Sequence, residues 1–157
     1  MTPDLTPASG RFDGPVHRFA VRVYFEDTDL SGVVYHANYL RWFERARTET
    51  LRLIGIEQRA AHDAGEGAYA IADLAIRYLV PARLDDAVII ETRAEELRAA
   101  SCRMLQRALR VDLGGLETLL AEARMRVGFV GPDGRPRRQP EAWRQAIAAI
   151  IPQESPA

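Results

Sequence analysis

The stretch Tyr24-Phe25-Glu26-Asp27-Thr28-Asp29-Leu30-Ser31-Gly32-Val33-Val34-Tyr35-His36-Ala37-Asn38-Tyr39 joins a segment of strand period to one of helix period. Upstream, Phe19, Val21, Val23 and Phe25 alternate with Arg18, Ala20, Arg22 and Tyr24, which predicts a strand over residues 16–25. Downstream, Tyr39, Leu40, Phe43, Ala46, Thr50 and Leu53 recur at steps of three and four. That spacing predicts a helix over residues 38–54, with Asn38 as its cap and Gly55 as its stop. Three carboxylates, a histidine between two tyrosines and a glycine turn lie at the junction. Acid-base groups held where a strand gives way to a helix make a candidate site.

Residues 56–67 read as a loop. Four strand-like runs follow, at 69–80, 87–96, 100–112 and 116–130, broken by Pro81, by Asp85-Asp86 and by Gly114-Gly115. The run 101–110 has the leucines and alanines of a helix. The turn signals on both sides favour a strand. Residues 140–151 predict a short C-terminal helix. Residues 1–15, rich in Pro, Gly, Thr, Ser and Asp, read as a disordered tail, and 152–157 as a second one. A single domain over 16–151 is therefore expected. Its order of strand, long helix and four strands implies an α+β fold, an antiparallel five-stranded sheet covered on one face by the helix.

A formal net charge of -1 gives no large attraction for nucleic acid. All 21 basic residues are arginines, which reads first as base composition, although the guanidinium fork suits phosphates. Cys102 is the lone cysteine, so no internal disulfide forms, which fits a reducing compartment. It reads as a structural thiol within a strand. No apolar run is long enough to span a bilayer, and the N-terminus lacks a signal-peptide pattern. The expectation is a soluble cytoplasmic protein.

Three motifs carry a family resemblance: Glu26-Asp27-Thr28-Asp29, Gly32-Val33-Val34-Tyr35-His36-Ala37-Asn38-Tyr39 and Phe43-Glu44-Arg45-Ala46-Arg47-Thr48-Glu49. With Ile76-Arg77-Tyr78-Leu79-Val80-Pro81-Ala82-Arg83-Leu84-Asp85-Asp86, they resemble the hotdog-fold acyl-CoA thioesterases. The branch is the YbgC-type, Tol-Pal-associated one, related to 4-hydroxybenzoyl-CoA thioesterase. The resemblance covers roughly residues 16–130. It implies an antiparallel sheet wrapped around a long central helix, and homodimers or dimer-of-dimers tetramers with active sites at the dimer interface. It also implies hydrolysis of an acyl-CoA substrate without metal or other cofactor. A place beside the inner membrane follows from the Tol-Pal association alone.

The resemblance assigns residues as well. Asp29 matches the catalytic aspartate, acting on the thioester as nucleophile or as general base; the sequence leaves both routes open. His36 matches the branch's histidine, which orients Asp29, contacts the thioester or helps the thiolate leave. In relatives the backbone amide at the position of His36 polarises the carbonyl, as unpaired amides at a helix start can. Tyr35 positions His36 or the acyl group, or else packs in the core. Gly32 serves the tight turn or a close approach of backbone to ligand. Leu30-Ser31 stand where relatives often carry smaller residues. Asp27 is expected to support rather than react. Glu44 is a rival carboxylate, read as paired with Arg47 or Arg41 on the helix. Arg77, Arg83 and Arg103 are candidates for CoA phosphates. Two other functions compete. A hotdog hydratase spaces its Asp and His five apart, whereas Asp29 and His36 are seven apart. A non-catalytic acyl-CoA-binding or Tol-Pal-linked interaction protein would have no need of an intact Asp29 and His36.

Overall fold

A computed structural model describes residues 5–153; residues 1–4 and 154–157, the outer parts of the two expected tails, lie outside it. The elements run β1 (Arg11–Asp13), β2 (Val16–Arg22), a 3-10 turn (Phe25–Asp27), α1 (Asn38–Leu53), α2 (Gln58–Asp63), β3 (Ala68–Tyr78), β4 (Ala87–Leu97), β5 (Ser101–Val111), β6 (Glu117–Val130) and α3 (Glu141–Ile150). The strands form one antiparallel sheet in the order β1-β2-β4-β5-β6-β3. Between β2 and β3 the chain leaves one side of the sheet, runs through α1 and α2, and returns at the opposite edge. This is the α+β hotdog arrangement.

The sheet has six strands, not the expected five, because β1 lies inside the stretch read as a tail. The glycines that suggested disorder there have structural jobs. Gly14 takes a left-handed φ of 58° in the turn between β1 and β2. Gly10 passes so close to β2 that a Cβ would lie 2.2 Å from the Arg18 carbonyl oxygen. His17 is fully buried, its Nε2 lies 2.7 Å from the Ser9 carbonyl oxygen, and its ring meets Phe12 edge-on. Burial pushes the His17 imidazole pKa down.

The loop expected at 56–67 contains α2, a helix too short for periodicity to reveal. On α1 the buried face is turned from the expected stripe. Tyr39, Trp42, Phe43, Ala46, Thr50 and Leu51 are buried, whereas Leu40 and Leu53 are partly exposed. Trp42, Phe43 and Ala46 join Ile90, Ala108, Leu120, Met125 and Ile147 in one core cluster. The run 101–110 is strand, as its flanking turns suggested.

A polar row crosses the inner face under α1. Gln106 donates from Nε2 to the Phe43 carbonyl at 2.9 Å and to Thr92 Oγ1 at 2.8 Å. Its Oε1 accepts from Arg47 Nη1 at 2.8 Å. The buried amide is thus satisfied, which removes the main cost of burying it. On the outer face Arg18, Glu91, Arg107 and Glu122 form a cross-strand ladder of ion pairs at 3.0–3.5 Å. The charged residues thus lie opposite the core.

Candidate active site

The segment between the 3-10 turn and α1 is shaped by its own side chains. Asp27 is buried and works structurally. Its Oδ2 accepts from the Tyr24 amide at 2.7 Å, its Oδ1 accepts from Asn38 Nδ2 at 2.9 Å, and its carbonyl accepts from the Tyr35 amide at 2.9 Å. The side chain of Asn38 is therefore spent on this tie. Ala37, not Asn38, occupies the helix cap, with no side-chain cap bond. Thr28 and Val34 pair as an isolated antiparallel bridge, and Asp29 to Val33 form the loop it closes. The Gly32 amide donates to the Asp29 carbonyl at 3.0 Å, and Gly32 takes a left-handed φ of 83°. A Cβ at Gly32 would touch nothing, so the backbone conformation, not space, calls for glycine.

Asp29 projects from this loop into solvent. Its Oδ1 accepts from the Ser31 hydroxyl and from the Ser31 amide at 2.8 Å. These two bonds, the hydroxyl first, hold the carboxyl below the usual aspartate pKa, and the nearby His36 adds a smaller push in the same direction. The turn thus favours the ionised form further and orients one carboxylate oxygen. Ser31 is the site residue that the sequence reading missed. The spacing Asp-x-Ser within a turn is the signal that points to it.

His36 is exposed at the start of α1. Its ring lies 4.5 Å from that of Tyr35 and 6.2 Å, edge-on, from that of Tyr78. The Tyr78 hydroxyl donates to the His36 carbonyl at 2.6 Å, which fastens the loop to the end of β3. Among the described residues the His36 amide has no hydrogen-bond partner. Tyr35 is about half exposed and packs on His36 rather than in the core. Beside them runs an open groove of about 280 Å³ lined by Val33, His36, Tyr39, Tyr78, Val80 and Pro81. The groove thus joins the loop to the edge strand.

The structure brings Asp29, Gly32, Tyr35 and His36 into one loop and leaves Glu44 apart. Glu44 is largely exposed and pairs with the buried Arg47. The candidate phosphate-binding arginines scatter. Arg103 pairs with Glu96 at 3.6 Å, and Arg77 stands in register with Glu122 on the sheet. Arg83 follows a residue whose backbone is tied to the loop. The Val34 amide donates to the Ala82 carbonyl at 2.8 Å, one residue away.

Residues 23–151 match the model of the thioesterase-like superfamily. The chain belongs to this family. It is 44% identical over 112 residues to the acyl-CoA thioesterase YbgC of Haemophilus influenzae, covering 71% of this chain and 79% of that one. It is 41% identical over 126 residues to the acyl-CoA thioester hydrolase YbgC of Escherichia coli O6:H1, covering 80% and 90%. Among solved structures it resembles 4-hydroxybenzoyl-CoA thioesterase from Pseudomonas sp. strain CBS-3. There the TM-score is 0.76 and the identity 25%, over 83% of this chain and 98% of the other. Family membership fixes the architecture around the loop. Among the described residues no helix is long and apolar enough to cross a membrane.

Proposed function

We propose that the protein hydrolyses acyl-CoA thioesters to a free acid and CoA, with Asp29 as the reacting carboxylate and His36 beside it. The observation that carries this reading is the exposed Asp29 carboxylate, held by the Ser31 turn next to a helix start where the His36 amide has no partner among the described residues. An anionic oxygen attacks the thioester carbonyl carbon, either that of Asp29 itself or that of a water deprotonated by Asp29. The charge developing on the carbonyl oxygen meets the His36 amide at the positive end of α1. The C–S bond then breaks and the thiolate leaves as CoA; on the direct route water then hydrolyses the Asp29 mixed anhydride, releasing the free acid and regenerating the carboxylate. Tyr35 and the Gly32 backbone border the substrate. Arg83 is the arginine best placed for a CoA phosphate.

The active unit is at least a homodimer, with two dimers pairing as the further step. Each unit is one domain running from β1 to α3. β3 is an eleven-residue edge strand, and residues on both of its faces are exposed, Ile71 and Tyr78 among them. Such an edge offers a template for pairing with a second copy. Around the loop Tyr24, Phe25, Leu30, Tyr35 and Leu79 are also exposed, an apolar surface that a second copy would cover. The reaction is placed in the cytoplasm, where a lone reduced thiol such as Cys102 is at home. The test is thiol release from a panel of short, long and aromatic acyl-CoA thioesters. Release from at least one of them is expected. No release from any of them contradicts the reading.

A further inference from the structure

The two peptide groups that flank His36 are each held by their carbonyl. The Tyr35 carbonyl accepts from the Asn38 amide at 2.9 Å, and the His36 carbonyl accepts from the Tyr78 hydroxyl at 2.6 Å. A trans peptide points its N–H away from its C=O. The first bond therefore turns the His36 N–H away from Asn38. The second bond fixes the next peptide, and with it the backbone torsion of His36 between the two. One of these holds is local to the helix start. The other comes from a side chain 42 residues further along the chain.

Tyr78 is a firm post for that bond. It is the last residue of β3 and stands in register with Ala121 of β6. The next two amides, of Leu79 and Val80, both donate to the Leu120 carbonyl, at 2.8 and 3.2 Å. The phenol ring meets Tyr39 at 5.6 Å and His36 at 6.2 Å, both edge-on, and Tyr39 is itself core. Partial burial pushes the phenol pKa up, so the hydroxyl remains a donor at neutral pH. Tyr78 is also about half exposed and lines the groove beside the loop. Water can solvate the His36 carbonyl if the hydroxyl is removed, so the bond adds little to the fold. A mobile water does not hold the direction of the peptide, and direction is what a preorganised donor supplies.

We propose that Tyr78 is a positioning residue of the thioester reaction, holding the His36 backbone so that its amide points at the charge developing on the thioester oxygen. The inference rests on the thioesterase reading above. It gives the end of β3 a part in the rate without contact with the reacting atoms.

The experiment is steady-state kinetics on Tyr78→Phe, alone and combined with His36→Ala, with the best acyl-CoA substrate and well below the melting temperature. Phenylalanine keeps the ring contacts, so circular dichroism stays that of the wild type. Loss of an oxyanion donor costs roughly 10²–10³ in kcat. Tyr78→Phe loosens the donor without deleting it, so kcat falls about tenfold while KM changes little. The Ser31 bonds to Asp29 are untouched, so the acid limb of the pH profile stays in place. The bond is to backbone, so the same fold-loss recurs in the His36→Ala background. An unchanged kcat, a rise in KM alone, a displaced acid limb, or a loss that vanishes with the imidazole each overturns the inference and leaves the thioesterase standing. A wild-type protein that releases no CoA overturns both.

Discussion

The Asp29 carboxylate is tuned by a residue two positions away. Ser31→Ala removes the hydroxyl and keeps the amide, so the Asp29 pKa rises towards its ordinary value. The sign follows from the depressed pKa. Ionised Asp29 is present above that pKa and is lost as pH falls through it. The acid limb of the kcat/KM profile therefore moves to higher pH in Ser31→Ala, while activity near neutrality changes little. An acid limb that stays put or moves down would detach Asp29 from the reaction. For His36, side chain and amide separate. His36→Ala keeps the unpartnered amide at the start of α1, so it costs less turnover than loss of the Asp29 carboxylate. Steady-state kinetics on the two variants checks that order, and an inactive His36→Ala would give the imidazole the leading role.

At the scale of elements, α1 and the sheet are locked by Arg47 and Gln106 as well as by apolar packing. Arg47→Met leaves Gln106 Oε1 without its donor under the helix. The expected loss is about 2 kcal/mol, or a fall in Tm of roughly 4–8 °C for a chain of this size. Glu44→Gln, at the exposed end of the same pair, costs less than about 1 kcal/mol. Thermal unfolding of both variants tests the contrast, and equal losses would contradict it. The elements differ in how far the sequence reveals them. β3 to β6 are long and bounded by Pro81, Asp85-Asp86 and Gly114-Gly115, so alternation and turn chemistry locate them. β1 and α2 are shorter than one reliable period. On α1, Arg47 looks like a surface residue and Leu53 like a core one. Their burial is decided by Gln106 and the curl of the sheet, contacts made by distant parts of the chain. The same holds for the site. Asp29, Gly32, Tyr35 and His36 are neighbours in sequence and are legible together. The Tyr78 anchor is 42 residues from His36, and its motif gives no sign of the contact between them.

For the whole molecule, the edge strand β3 is the decisive surface. Ala75 lies near its middle and is exposed. In a two-fold pairing of β3 with itself, Ala75→Arg brings like charges together near the axis. Light scattering after gel filtration is expected to show a monomer with wild-type circular dichroism and little activity, because the apolar surface around the loop then loses the second copy that covers it. An Ala75→Arg protein of unchanged mass would place the interface elsewhere.

The account turns on Asp29, and Asp29→Asn tests it most directly. The side chain is exposed and its Oδ1 keeps the Ser31 bonds, so Tm stays within about 2 °C of the wild type. Thiol release from the best acyl-CoA substrate is measured for both proteins under the same conditions. A fall in kcat of about 10²–10⁴ with the fold intact is the predicted result. Full turnover by Asp29→Asn, with the loss appearing in Glu44→Gln instead, would contradict the account and move the chemistry to the helix.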